Sequence, residues 1–447
     1  MSTIIDRPRY LCSLGGAIST LNALPRVITI IHAAAGCGSN LANAHNGAAG
    51  YAGSGYCSGL ALPSTNVYEN EIIFGGEERL KEQIEKTLEV VDGDLYFVLT
   101  GCMVEMIGDD VQSVSDHFKN NGEPVYAINT GGFKGNSFRG YDLVLQALFM
   151  DYLEKHEEKD EKLINLWGVV PVQDVFWKGN LKVLKSLIEK LGYRVNTFFG
   201  EGETLADLKA ASRASLNIVV SDTFGIEAAK VFQEVHKVPY ISVPFPVGDY
   251  GSENFLNIVG TALGLDEAFK AKIIKAEKKR YYGYMERLAD IYSDIDLQRY
   301  AVVVGDSNYA QALTRYLSDD IGWLPELVII TDDNLSDDDR ALILTRFEDY
   351  ESGLKPKVIF NTHTSSVLKE VNYHNTQSNG ERYYNSFSPA FILGSSFERD
   401  AADKIGAGHL SVTYPVCNRV VLDRAYAGYD GALRLTEDIF GALVASR

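Results

Sequence analysis

The sequence predicts an α/β protein of three doubly wound, parallel-sheet, Rossmann-like domains, and three observations carry that prediction. Strand-sized apolar runs recur along the chain and are mostly continuous, which is how strands buried on both faces of a parallel sheet read. Amphipathic stretches separate them, giving the βαβ alternation of open sheets covered by helices. The length of 447 residues fits two to four domains at roughly 100–200 residues each.

The first segment, 1–162, has predicted strands at 27–32, 95–100 and 125–129 and predicted helices at 77–91 and 143–158. A charged run at 154–162 then reads as a solvated helix end or linker before a fresh strand. The second segment, 163–296, offers strands at 163–170, 216–221 and 240–243 and helices at 181–191 and 226–236. It closes on a long polar helix at 266–296. The third, 297–447, holds strands at 300–305, 327–331, 357–361, 391–393 and 410–414 and a helix at 309–317.

With 42 Lys and Arg against 60 Asp and Glu, the net charge is −18. A hydrophobic fraction of 46% with 23% charged residues is ordinary globular material and excludes disorder as the main state. The acidic surplus argues against phosphate-backbone binding, so no nucleic acid is expected as partner. No apolar stretch approaches the roughly 20 residues a bilayer crossing needs, so no membrane span is expected. The segment from Met1 to Pro8 lacks a basic region followed by an apolar run, so a cytoplasmic protein is expected. Five cysteines, Cys12, Cys37, Cys57, Cys102 and Cys417, are too few and scattered for a disulfide framework and are expected as reduced thiols.

Ligands of open parallel sheets sit beyond the carboxyl ends of the strands. There the strand at 27–32 runs into Ala35-Gly36-Cys37-Gly38, and the strand at 95–100 into Gly101-Cys102 and then Ile107-Gly108-Asp109-Asp110. The third strand runs into Thr130-Gly131-Gly132-Phe133-Lys134-Gly135. Cys37 and Cys102 each follow a strand and precede a predicted helix, whose free N–H groups favour thiolate over thiol. Thiolates are the ligands of soft metals and iron–sulfur clusters, and flanking glycines let backbone approach a bulky core. The competing reading is plain: a lone Cys in an α/β core is more often a small buried hydrophobe, and these spacings match no short ferredoxin or zinc pattern. Gly305-Asp306-Ser307 is a weak nucleotide-binding candidate that a tight βα turn explains equally well. No G-x-S-x-G elbow or H-E-x-x-H motif is present.

Taken together, the motifs resemble nitrogenase component 1, the family of the molybdenum-iron protein. The resemblance rests on Cys12 with Gly15-Gly16-Ala17, on Ala35-Gly36-Cys37, and on Ile73-Phe74-Gly75-Gly76-Glu77 with Leu80. It continues through Thr100-Gly101-Cys102 with Ile107-Gly108-Asp109-Asp110, and Gly132-Phe133-Lys134-Gly135. Further matches are Val304-Gly305-Asp306 with Leu313 to Leu317, Tyr414 to Arg419, and Gly428-Tyr429-Asp430-Gly431-Ala432. The resemblance implies three α/β domains, and Cys12, Cys37 and Cys102 as the ligands of half an [8Fe-7S] P-cluster shared with a homologous α-type subunit. It implies an α2β2 heterotetramer and an ATP-driven Fe protein that docks where Phe74 stands. The alternative for Phe74 is a core residue at a strand end.

In the family's α-type subunit a Cys in the second domain and a His near the C-terminus hold the active-site cofactor. Here no Cys lies between Cys102 and Cys417, and Ala427 stands where that His would be. The chain therefore resembles the β-type subunit, which leaves the active-site cofactor to its partner. Gly132 replaces a serine that can join the cluster iron in the molybdenum enzyme, Cys57 has no family counterpart, and Cys417 is expected as buried packing. The resemblance implies an electron-relay subunit of a nitrogenase or nitrogenase-like reductase, such as methylthio-alkane reductase, acting on N2 or an organosulfur compound. Its rivals are a cofactor-assembly scaffold of the same family and an unrelated nucleotide- or sugar-binding α/β enzyme.

Overall fold

A computed structural model describes residues 7–51, 62–295, 299–333, 335–379 and 390–445. The first sheet has three parallel strands, β1 (Val27–His32), β2 (Leu95–Thr100) and β3 (Val125–Ile128), in the order β1-β2-β3. β2 is buried along its whole length, as its unbroken apolar run requires. Each fully buried side chain such as Phe97 or Leu99 contributes about 1.5–3 kcal/mol relative to exposure. The register sets His32 beside Thr100 and Leu99 beside Ile128, so all three strands end at one edge.

Among the described residues seven helices surround this sheet: α1 (Ser13–Asn22), α2 (Ala35–Ala48), α3 (Glu69–Phe74), α4 (Glu77–Val90), α5 (Cys102–Ile107), α6 (Val111–Asn120) and α7 (Ser137–Ala147). α1 and α7 cross at glycines. A Cβ on Gly16 would lie 2.0 Å from the Ser137 carbonyl oxygen, and one on Gly140 2.0 Å from that of Ser13. Only glycine permits this approach.

The second sheet holds β4 (Asp160–Trp167), β5 (Arg194–Asn196), β6 (Ala214–Val219) and β7 (Tyr240–Ser242) in the order β5-β4-β6-β7. The third holds β8 (Tyr300–Gly305), β9 (Leu324–Ile330), β10 (Lys357–Phe360), β11 (Ala390–Gly394) and β12 (Gly408–Ser411) in the order β10-β9-β8-β11-β12. All pairings are parallel, and in both sheets the order reverses beside the first strand, the mark of double winding. In the first sheet the same reversal is made by a single parallel bridge, Ile31 to Ser64, on the edge of β1 away from β2. One connected apolar core runs from Leu14 to Leu443 through all three sheets. Among the described residues no helix is long and apolar enough to cross a membrane.

Local departures from expectation have identifiable causes. The helix expected at 143–158 starts at Ser137, because the Asn136 side chain accepts from the Phe138 N–H and caps it, and it ends in a wider turn, Leu148–Tyr152. The charged run 154–162 is already strand from Asp160. The polar stretch at 266–296 is two helices, Glu267–Met285 and Leu288–Ile295.

The chain's beginning is fastened to its end. Arg9, buried, donates to both carboxylate oxygens of buried Glu398, at 2.6 and 3.2 Å, and to Ser395 Oγ at 2.8 Å. Tyr10 Oη lies 2.6 Å from Thr331 Oγ1, beyond β9. The residues leading into Cys12 are thus held by the third sheet.

Candidate functional site

Cys12, Cys37 and Cys102 all stand at N-terminal ends of helices: Cys12 is the cap of α1, Cys37 the third residue of α2, and Cys102 the first of α5. In-register ends of β1 and β2 bring the N-terminal ends of α2 and α5 together, while a bridge between Cys12 and Asn136 brings in α1. Gly132 sits between two of the thiols. Its N–H donates to Cys102 Sγ at 3.0 Å. A Cβ added there would lie 3.2 Å from Cys102 Sγ, 3.2 Å from Cys12 Cβ and 3.6 Å from Cys12 Sγ. Cys12 and Cys37 are half-buried and Cys102 is exposed, so the group opens to the surface.

Electrostatics oppose leaving the Cys37 thiol bare and ionised. Burial pushes the Cys37 thiol up, and negative charge on Cys12 and Cys102 pushes it further. The acidified thiol expected from a helix N-terminus is therefore not found at Cys37, where desolvation and like-charge neighbours win. A bound cation reverses that balance, because a coordinating thiol is deprotonated outright. Among the described residues no three His, Cys, Asp or Glu side chains converge on a single metal ion. Three thiols, one N–H···S contact and glycine-lined backbone fit a larger iron–sulfur core better than one ion.

The walls are built from side chains that the motifs only partly indicated. Ser13 Oγ donates to the carbonyls of Thr130 and Gly131 at 2.9 and 2.8 Å, joining α1 to the loop that carries Gly132. Glu105 accepts from the Gly131 N–H at 2.6 Å and pairs with Lys134 at 3.1 Å. Two residues after Ile107 ends α5, Asp109 accepts from the Gly76 N–H at 3.0 Å and from His32 Nε2 at 2.9 Å. Phe74 ends α3 and is 84% exposed, so it is no core residue. Ile73, Met106 and Phe133 are exposed as well.

Elsewhere the structure sorts the remaining candidates. Cys417 is exposed, not buried packing, because the chain turns outward after Val416 and its N–H donates to Ser396 Oγ at 2.8 Å. Cys57 lies outside the described residues. Ala427 is fully buried, its N–H donating to Asn180 Oδ1 at 2.9 Å. Near Asn180, side chains from all three segments pack together, and a cavity of about 290 Å³ also borders Phe138 and Phe224. Phe138 stacks on Phe224 at 3.9 Å, and the cavity bounded by these rings, Asp174, Phe245, Asp306 and Tyr309 is only about 10 Å³, one water's worth. Asp306 caps the helix Ser307–Arg315 by accepting from the Tyr309 N–H, which accounts for the Gly305-Asp306-Ser307 turn without a nucleotide.

Comparison with known proteins follows the same outline. The family described as "Nitrogenase component 1 type Oxidoreductase" matches residues 12–444. The nitrogenase molybdenum-iron protein beta chain of Methanococcus maripaludis is 21% identical over 485 residues, covering 99% of this chain and 95% of that one. The nitrogenase molybdenum-iron protein alpha chain of Methanothermobacter marburgensis is 24% identical over 458 residues, covering 97% and 87%. The nitrogenase iron-molybdenum cofactor biosynthesis protein NifE of Methanococcus maripaludis is 29% identical over 275 residues, 60% of this chain and 55% of that relative. The solved structure "Nitrogenase Cp1 at pH 6.5" superposes with a TM-score of 0.80 at 18% identity, over 100% of this chain and 94% of that one, which shows the shared fold. With the family match running from the first of the three thiols almost to the last helix, the chain belongs to the nitrogenase component 1 type oxidoreductases.

Proposed function

We propose that the protein is the β-type, electron-relay subunit of an ATP-dependent nitrogenase-like reductase. The observation that carries this reading is the convergence of Cys12 and Cys102 on Gly132, with Cys37 close enough to feel both. These thiols would hold half of an [8Fe-7S] P-cluster shared with a homologous α-type subunit in an α2β2 assembly, and that group would supply one-electron storage between an Fe protein and the partner's cofactor. This chain's own residues place the sulfurs, exclude water behind them and lend N–H groups such as that of Gly132, which favour the reduced, more negative state. Exposed Cys102 suits a site that a partner surface completes. Exposed Phe74 and Ile73 suit docking of the Fe protein on the adjacent face.

Buried Ala427, whose side chain offers no ligand atom, supports leaving the active-site cofactor, and with it the choice of N2 or an organosulfur substrate, to the partner. A second reading, a cofactor-assembly scaffold subunit, draws support from the likeness to NifE. Iron and acid-labile sulfide per heterodimer, measured on anaerobically purified complex with Cys37→Ala as comparison, test the proposal. Iron above the partner's own content and lost in the variant supports the shared cluster; iron unchanged by the substitution refutes it. Substrate reduction by the wild-type complex then separates reductase from scaffold.

A further inference from the structure

One buried hydrogen-bonded chain connects the exposed turn after Phe74 to the strand ends that carry two of the thiols. Its centre is Asp109. The side chain is 4% exposed and accepts from the Gly76 N–H on both oxygens, at 3.0 and 3.1 Å, and from His32 Nε2 at 2.9 Å. Burial holds the His32 imidazole below its ordinary pKa, so the ring is neutral near pH 7. A carboxylate only accepts, so Nε2 carries the ring proton and Nδ1 accepts from Thr65 Oγ1, 3.0 Å away.

Each end of the chain is tied to something the proposed function uses. Gly75, at φ +91°, and Gly76 form the turn that throws Phe74 outward, and a Cβ on Gly76 would lie 2.7 Å from Asp109 Oδ2 and 2.9 Å from His32 Cε1. Glycine at that position is what allows the backbone to sit against the pair. At the other end, His32 is the last residue of β1, five before Cys37, and its carbonyl accepts from the Gly101 N–H at 2.9 Å, immediately before Cys102. Asp109 itself is bound back to α5, its N–H donating to the Val104 carbonyl at 3.2 Å. The chain is short, its His32 and Asp109 side chains are buried and it is bonded at both ends, which makes it a stiff connection.

We propose that His32 and Asp109 are positioning residues that carry displacement of the Phe74 turn to the backbone holding Cys37 and Cys102, so that docking of an iron–sulfur ATPase reductase sets the thiol geometry for electron transfer. This inference rests on the cluster reading above. Two substitutions at His32 separate transmission from mere packing. In His32→Asn the shorter amide reproduces the Nδ1 contact with Thr65 and loses the one to Asp109. In His32→Gln the longer amide reaches the Nε2 position and can donate to Asp109.

The experiment uses the anaerobic complex with its homologous subunit and the system's own Fe protein charged with MgATP. Three quantities are read: iron per heterodimer, the Fe protein's docking affinity, and single-turnover electron transfer by stopped flow. Iron and docking affinity are expected to match wild type in both variants. The transfer rate is expected to fall by at least about tenfold in His32→Asn, the scale on which small misplacements of reacting groups are felt, and to recover in His32→Gln. Equal rates in the two variants, or a slowing that merely follows lost iron, would overturn the assignment. A wild-type complex without interfacial iron would instead refute the cluster reading on which it rests.

Discussion

Asp320 gives a prediction whose sign and size follow from burial. It lies in the turn after the helix Ser307–Arg315, and its Oδ2 accepts from the Asp249 N–H at 2.6 Å and from Tyr281 Oη at 2.8 Å. Burial raises its pKa from 3.8 to about 7, opposed by those two hydrogen bonds and reinforced by Asp249 and Asp319. Between pH 4 and 7 the folded chain therefore holds a proton that the unfolded chain has released. The contribution of this group to stability is greatest below that window, falls as pH rises through it, and is flat above it. A shift of about 3 units corresponds to about 4 kcal/mol, taken as an upper bound for this site.

The substitution Asp320→Asn removes the charge while its amide oxygen keeps both hydrogen bonds, since both fall on one oxygen. The variant should match wild type at pH 4 and be more stable at pH 8 by roughly 1–4 kcal/mol. Urea denaturation followed by tryptophan fluorescence checks this, because the Trp323 indole is buried beside this turn and its backbone N–H donates to the Leu317 carbonyl. Parallel stability-versus-pH curves for variant and wild type, or a less stable variant at pH 8, would refute the reasoning.

Two other outcomes are expected. Arg9→Met strands buried Glu398 without its cation and should cost about 3–5 kcal/mol in thermal unfolding, with most of the loss recovered when Glu398→Leu is added. Gly132→Ala inserts a methyl 3.2 Å from Cys102 Sγ and Cys12 Cβ, an overpacking worth about 1–3 kcal/mol, and should lower iron per heterodimer while leaving the far-ultraviolet circular dichroism unchanged.

What the sequence revealed and what it hid divide along a physical line. Continuous apolar runs announce central strands because burial on both faces leaves little alternative, and β1, β2, β6, β8 and β9 stand close to where their runs predict. β5 was invisible: three residues, Arg194–Asn196, carry too little pattern to register. The start of α7 was missed because its signal is one side chain, Asn136, rather than a period. Cys37 and Cys102 were legible as strand-end thiols, but their approach to one another depends on strand register. The His32–Asp109 contact joins residues 77 positions apart, and no local pattern encodes it. Glu105 likewise reads as an ordinary helix charge until the loop at Gly131 closes over it.

The fastening of Arg9 to Glu398 has a consequence for biosynthesis. Those residues are separated by 389 positions, so as the chain leaves the ribosome the first sheet can form, with Cys37 and Cys102 already in place, long before Glu398 exists. Over that interval the residues just before Cys12 lack their tie to the third sheet, and Cys12 is held from the first domain alone, by its bridge to Asn136 and by the bonds of Ser13 to the Thr130–Gly131 loop. That tie waits for the third sheet, Tyr10 for Thr331 and Arg9 for Glu398. The approach to Cys12 is thereby the last part of the thiol group to be fixed from both sides.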